Sequence, residues 1–123
     1  MKVKNRSTGS IDQGILRKAQ KEVLRALYSL TAQGNNPEEF YSPRLIASKC
    51  REDEPTSRFF PEGHYGIIAP FDIKILVEEY VSRGLVKRTA ILQLRESGNP
   101  VGYRANIEDA ESMRKLESIL EAN

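Results

Sequence analysis

Hydrophobic residues recur along the chain in blocks whose spacing is helical. The first block runs over residues 10–33, where apolar residues follow one another at steps of three and four, as on an amphipathic helix. Ser10 and Gln13 form a capping-box pattern at its start, and Gly34 follows its end. The stripe consists of Ile11, Ile15, Leu16, Ala19, Val23, Leu24, Leu27 and Leu30.

Two shorter helices are predicted next. Ser42 and Pro43 are a typical N-cap and first helical residue, and the helix that they begin is expected to end at residues 49–51. We expect its apolar residues to point inward; they are Leu45, Ile46 and Cys50. A third helix follows Pro70 and ends at residues 83–84. Its apolar set is Phe71, Ile73, Leu76, Val77, Tyr80 and Val81.

The pattern then changes to strand-like alternation. Thr89–Arg95 and Val101–Ala105 alternate as half-buried strands do, and the turn-forming residues 96–100 between them predict a β-hairpin. Asn106 is expected to cap a last helix. The stripe of that helix is Ile107, Ala110, Met113, Leu116, Ile119 and Leu120. The order helix, helix, helix, hairpin, helix predicts a mainly α fold with a small β-hairpin.

Two segments show neither helical spacing nor strand-like alternation. Residues 1–9 are polar, and we expect them to form a flexible N-terminal arm before a single domain over residues 10–121. Residues 52–66 lack a helical stripe and are rich in aromatic residues near their end. Long irregular loops inside compact domains are commonly functional or mobile. This aromatic loop, residues 55–70, is therefore a candidate contact surface.

Composition and charge narrow the class of protein. The chain has 123 residues, of which 39% are hydrophobic, and this suits one compact domain. No apolar stretch approaches the roughly 18 residues of a membrane-spanning helix, and the basic N-terminus leads into no signal-peptide core. Cys50 is the single cysteine, which favours the cytoplasm over an oxidising compartment. The chain has 19 basic and 17 acidic residues, so its net charge is close to neutral. A nucleic-acid binder of this composition would have to separate its basic residues from its acidic ones in space.

The end of the third helix carries a resemblance to a known superfamily. Gly84-Leu85-Val86 ends the helix, and Lys87-Arg88 and the hairpin follow. Glycine suits this exit because it adopts the left-handed cap conformation without a Cβ penalty. Together with the order of elements over residues 10–120, these residues resemble the winged helix-turn-helix superfamily of DNA-binding regulators. The resemblance does not point to one family within it.

The resemblance implies a transcriptional regulator that binds double-stranded DNA, with the third helix in the major groove and the hairpin as a wing on the backbone or minor groove. It also implies a homodimer through the long terminal helices. The residues expected at the bases are Pro70, Asp72, Lys74 and Ile75. The basic residues available for phosphates are Arg44, Lys49, Arg58, Lys87, Arg88, Arg95 and Arg104.

Two observations weigh against that assignment. Asp72, Glu78 and Glu79 are expected on the outer face of the third helix, where they would repel phosphates. The arginines of the wing have an alternative role as solvated charges that prevent edge-to-edge strand pairing.

A second interpretation is therefore a winged-helix module for protein–protein contact. In that case the aromatic loop would meet the partner through Phe59, Phe60, His64 and Tyr65, because exposed aromatic residues are costly unless they are used. At least one of the two phenylalanines is alternatively expected to pack over the helical core.

Enzymatic chemistry has the least support. His64 is the only histidine and Cys50 the only cysteine, which is too few for a zinc site. The two flank the same loop and could form a nucleophilic pair, but Cys50 falls on the inward stripe of its helix, where cysteine usually acts as a small buried hydrophobe. No glycine-rich phosphate loop of a standard form is present. We expect no catalytic site, no metal and no cofactor.

Overall fold

A computed structural model describes residues 13–36, 38–53, 68–90 and 101–122. Within these ranges the elements follow one another as α1 (Gln13–Gln33), α2 (Pro43–Asp53), α3 (Pro70–Ser82), β1 (Val86–Ala90), β2 (Val101–Ala105) and α4 (Ala110–Glu121). The predicted order of elements and the mainly helical class with a small β-hairpin are confirmed. The predicted arm at residues 1–9 and the start of the first helix at Ser10 lie outside the described residues.

The core is built around α1, which contacts α2, α3, α4 and β2. Its predicted stripe is buried at Ala19, Val23, Leu24 and Leu27. The other helices turn their own stripes toward it, and their fully buried members are Ile46, Ala47, Ile73, Leu76, Val77 and Leu116. Burial of each large aliphatic side chain contributes about 1.5–3 kcal/mol relative to its exposure to water. The helical spacing of these residues therefore decides which face of each helix packs inward.

The chain leaves α3 through the glycine cap that the sequence predicts. Gly84 has a φ of 79°. Its N–H donates to the carbonyl of Val81, and the N–H of Leu85 donates to the carbonyl of Tyr80 at 2.9 Å. This is the pairing of a Schellman motif, which requires a left-handed residue just past the helix end. The turn directs the buried Leu85 and Val86 back into the core.

The first strand begins earlier than alternation predicts. β1 starts at Val86 and not at Thr89, and it pairs antiparallel with β2 so that Val86 faces Ala105. The expected start at Thr89 is wrong because two adjacent basic residues, Lys87 and Arg88, hide the alternation in the sequence. The rest of the predicted strand, residues 91–95, lies outside the described residues.

A second pairing holds the other side of β2. The N–H of Tyr41 donates to the carbonyl of Tyr103 at 2.8 Å, and the N–H of Tyr103 donates back to the carbonyl of Tyr41 at 2.9 Å. This isolated bridge places β2 between β1 and Tyr41, which lies two residues before α2. A one-residue pairing leaves no alternation in the sequence, so no pattern predicts it.

The last helix is capped by a different residue from the expected one. Asp109, not Asn106, is the N-cap of α4, and its carboxylate accepts a hydrogen bond from the backbone N–H of Ser112 at 3.1 Å. The side chain of Asn106 instead donates to the carbonyl of Gly84 at 2.9 Å. Asn106 therefore links the segment before α4 to the turn that follows α3. Ile107, which the sequence assigns to the stripe of the last helix, lies before the helix begins.

Candidate nucleic-acid interface

The first half of α3 presents an apolar and basic outer face. Pro70 and Lys74 are exposed, and Phe71 and Ile75 keep 58% and 52% of their surface accessible. Positions four residues apart share a face of a helix, so the two hydrophobic side chains form one strip. Phe71 belongs to the apolar set of the helix but lies off its buried side, which Ile73, Leu76, Val77 and Tyr80 occupy.

The expected outward position of Asp72 is also wrong. Asp72 is fully buried, and its carboxylate accepts a hydrogen bond from the backbone N–H of Ala69 at 2.7 Å. An acidic side chain in the first turn is stabilised by the free N–H groups and the positive end of the helix dipole. The carboxylate therefore serves the start of α3 and is withdrawn from its outer face.

The remaining acidic residues of α3 lie in its second half and have basic partners. Glu78 Oε2 lies 3.7 Å from Arg88 Nη1, and Glu79 Oε2 lies 3.4 Å from Arg83 Nη1. Exposed ion pairs of this kind contribute only about 0–1 kcal/mol, so a phosphate can replace the carboxylate at small cost. The acidic charge that the sequence places on α3 is thus either buried or locally neutralised.

The basic residues expected at DNA, whether at bases or at phosphates, fall into two groups. Among the described residues, Arg44 at the start of α2 and Lys74 are exposed and have no ion-pair partner. Lys49 lies 3.4 Å from both Glu52 and Asp53, and Lys87 lies 3.1 Å from Glu108. Hydrogen bonds from Lys49 to these acids hold the pKa of its ammonium above the usual value. Arg44 and Lys74 are therefore the most available cations on α2 and α3.

Arg104 is not part of an exposed wing surface. Only 3% of it is accessible. Its guanidinium donates to the carbonyl of Glu39 at 2.8 Å, to the carbonyl of Asn36 at 3.4 Å and to the Glu108 carboxylate at 2.7 Å. The expectation that Arg104 contacts phosphates is wrong because the segment before α2 covers this side of β2 and supplies the acceptors.

One of the three apolar residues of α2 that were expected to point inward is exposed. Leu45 was expected to point inward, but 45% of its surface is accessible, whereas Ile46 and Cys50 are buried as expected. Several predicted contact residues lie outside the described residues. They are Arg58 and Arg95, and Phe59, Phe60, His64 and Tyr65 of the aromatic loop.

Cys50 sits in an environment that suppresses thiol chemistry. Its Sγ donates to the carbonyl of Glu22 at 3.8 Å, and burial raises the pKa of the thiol to about 12. A thiol with so high a pKa carries almost no thiolate at neutral pH, and the thiolate is the reactive form. Over the described ranges no three His, Cys, Asp or Glu residues are grouped so that they could hold a metal ion. The same ranges contain no helix that is both long and apolar enough to cross a membrane.

Comparison with known proteins assigns the chain to no family. A scan against protein-family models, a search of curated proteins and a search of solved structures each found no match to the chain. What the protein does therefore has to be inferred from its own residues.

Proposed function

We propose that this is a DNA-binding protein of the winged helix-turn-helix type, in which the first half of α3 enters the major groove. One observation carries the proposal: the outer face of that half presents Phe71, Lys74 and Ile75 and no carboxylate, since Asp72 is buried. A helix that enters the groove by its N-terminal half meets the phosphates with the positive end of its dipole.

The arrangement of the elements supports this class of protein. α2 packs against α3, as the two helices of a helix-turn-helix do, and β1 and β2 follow α3 directly, where a wing would lie. Arg44 stands exposed in the first turn of α2, a position suited to a phosphate contact that fixes the orientation of α3.

The side chains on α3 suit the chemistry of the major groove. Lys74 can donate to a phosphate or to the acceptors of a guanine, and Phe71 and Ile75 can contact thymine methyl groups. Such apolar contacts exclude water from the base edges without introducing an unpaired charge. We therefore expect Lys74 to supply affinity and the two hydrophobic residues to supply a preference for A·T base pairs.

Binding of mixed-sequence DNA duplexes, followed by fluorescence anisotropy at low salt, tests the proposal. The Lys74→Glu variant should bind about tenfold or more weakly than the wild type, because a phosphate-facing cation becomes a repelling carboxylate. The control is Lys115→Glu, which makes the same change on the exposed face of α4. Absence of wild-type binding, or an equal loss in both variants, would refute the proposal.

A protein–protein role is the second candidate, and the exposed hydrophobic residues favour it. Leu45, Phe71 and Ile75 are the large hydrophobic side chains that remain exposed on α2 and α3. Exposed apolar surface commonly marks a contact site. Under this candidate a Phe71→Ser variant loses a protein partner in a pull-down, while Lys74→Glu retains it. For phosphate binding, by contrast, Lys74→Glu is the variant expected to lose affinity.

Transcription regulation and a homodimer through α1 and α4 stay predictions. A dimer of this class would read two half-sites about 34 Å apart. Sedimentation equilibrium on the free protein, together with the length of DNA protected from nuclease, tests both the stoichiometry and the spacing.

A further inference from the structure

A groove beside the end of α3 has the character of a ligand site. It lies between the first half of α1, the end of α3 and the end of α4, and its volume is about 730 Å³. Sites for small molecules and cofactors generally occupy about 300–1,000 Å³. We infer that this groove binds a small molecule that carries an anionic group on a flat apolar body.

The anionic group is indicated by basic residues along one wall. Arg17, Lys18 and Lys21 of α1 line the groove, and none of them has an ion-pair partner among the described residues. Three cations within little more than one helical turn repel one another, and a bound anion relieves that repulsion. The wall therefore favours a carboxylate, phosphate or sulfonate group.

The acidic residues of the groove do not cancel this charge. Glu22 Oε1 lies 3.8 Å from Arg25 Nη1, and Glu79 Oε2 lies 3.4 Å from Arg83 Nη1. Arg25 also donates to the carbonyl of Leu120 at 3.0 Å, which fixes it against the end of α4. Each of the two carboxylates thus has its own arginine, and the positive charge of the other three residues remains.

The flat apolar body is indicated by the floor of the groove. Leu16 and Ile119 are partly buried there beside Tyr80, which is 6% exposed. The Arg83 guanidinium carbon lies 5.9 Å from the centroid of the Tyr80 ring. Burial raises the pKa of Tyr80, and Glu79 raises it further while Arg83 and Arg17 lower it, so its hydroxyl stays protonated as a possible donor. A ring can pack on this floor while its acidic group reaches Arg17.

A second copy of the chain fits the groove less well than a small molecule does. In a second copy, α4 is one of the helices expected at a dimer contact. Its exposed face carries both signs of charge, with Arg114 and Lys115 beside Glu111 and Glu117. A face of mixed charge does not complement a wall of three cations. A small anion can approach that wall without bringing basic residues with it.

The experiment titrates the protein with anilinonaphthalene sulfonate, an aromatic sulfonate whose fluorescence rises on binding, and with neutral phenylnaphthylamine as the uncharged probe. The sulfonate should bind saturably with one site per chain. The double variant Arg17→Ala/Lys21→Ala should bind it about tenfold more weakly, while its binding of the neutral probe stays within about twofold of the wild type. Inorganic phosphate should displace the sulfonate from the wild type.

Three controls make the result decisive. Arg17→Lys/Lys21→Arg keeps the charge and should restore binding, and Lys115→Ala, on the exposed face of α4, should leave it unchanged. Lys74→Glu should bind the sulfonate as the wild type does, which separates this site from the proposed DNA surface. Non-saturable binding, equal losses in Lys115→Ala and the double variant, or binding that vanishes as the chain self-associates would overturn the inference.

Discussion

The guanidinium of Arg104 lies 2.7 Å from the carboxylate of Glu108, and this pair ties the end of β2 to the segment that leads into α4. The same guanidinium donates to the carbonyl of Glu39. One buried side chain thus holds the end of β2 to the residues that follow it and to the distant segment before α2. Lys87 contacts Glu108 from the other strand at 3.1 Å, but that contact is far more exposed.

Replacement of Arg104 by Met should lower the free energy of unfolding by about 2–3 kcal/mol, because it removes the donor of the Asn36 and Glu39 carbonyl groups and takes the buried cation away from the Glu108 carboxylate. Lys87→Met removes the exposed partner of the same carboxylate and should cost less than about 1 kcal/mol. Urea denaturation of the two variants measures the difference. Equal losses would show that burial of Arg104 adds nothing to the pair.

The stability of the protein should depend on pH through Glu108. Burial alone would raise the pKa of this carboxyl, but hydrogen bonds from Lys87 and Arg104 and their positive charges outweigh it, so the pKa lies below its ordinary 4.5. A carboxyl with a lowered pKa in the folded state stabilises the fold above its unfolded pKa and loses that contribution as the pH falls through the folded value.

The measurement compares unfolding free energies of the wild type and Glu108→Gln from about pH 7 to about pH 3. The wild type should be the more stable at neutral pH, and the difference should shrink as the pH falls below 4.5, the ordinary pKa of the group. A difference that is constant across this range would contradict the pairing.

Gly84→Ala should destabilise the protein by about 1–2 kcal/mol, because the left-handed conformation is unfavourable for residues with a Cβ. The position itself is open: no heavy atom lies within 4 Å of a Cβ built on Gly84, so the cost comes from the backbone and not from a clash. Gly84→Asn should cost less than Gly84→Ala, since asparagine tolerates this conformation better. Thermal unfolding of both variants tests the order.

The thiol of Cys50 should resist modification in the folded protein. It is buried and its pKa is raised to about 12, so a disulfide reagent such as dithionitrobenzoate should react with it slowly at neutral pH. In guanidinium chloride one thiol per chain should react at once. A Cys50→Ala variant with cysteine at the exposed position of Ser48 provides the fast-reacting control in the folded state, and equal rates would contradict the burial of Cys50.

The sequence alone predicts the helices and much of their packing. The residues Ile73, Leu76, Val77 and Tyr80 follow helical spacing, and the same spacing leaves Phe71 off the buried face. In α2, Ile46 and Cys50 share the buried face in the same way, and Leu45 lies off it.

Other features depend on partners that are remote in the sequence. Arg104 and Asp72 are charged residues that a one-dimensional pattern assigns to the surface, but each is buried because a backbone group of another segment or of the preceding turn meets it. The groove beside α1 depends on where α3 and α4 end in space. No periodicity in the sequence contains that information.

The bridge between Tyr41 and Tyr103 has a kinetic consequence. Tyr41 precedes α2 and Tyr103 lies in the last strand, so the chain loop that their pairing closes contains all of α2, α3 and β1. Closing a long loop costs chain entropy before the contacts that it allows can form, and folding slows as such non-local pairings become more important. The helices form from local contacts, whereas we expect the docking of Tyr41 against β2 to be among the late and slow steps of folding.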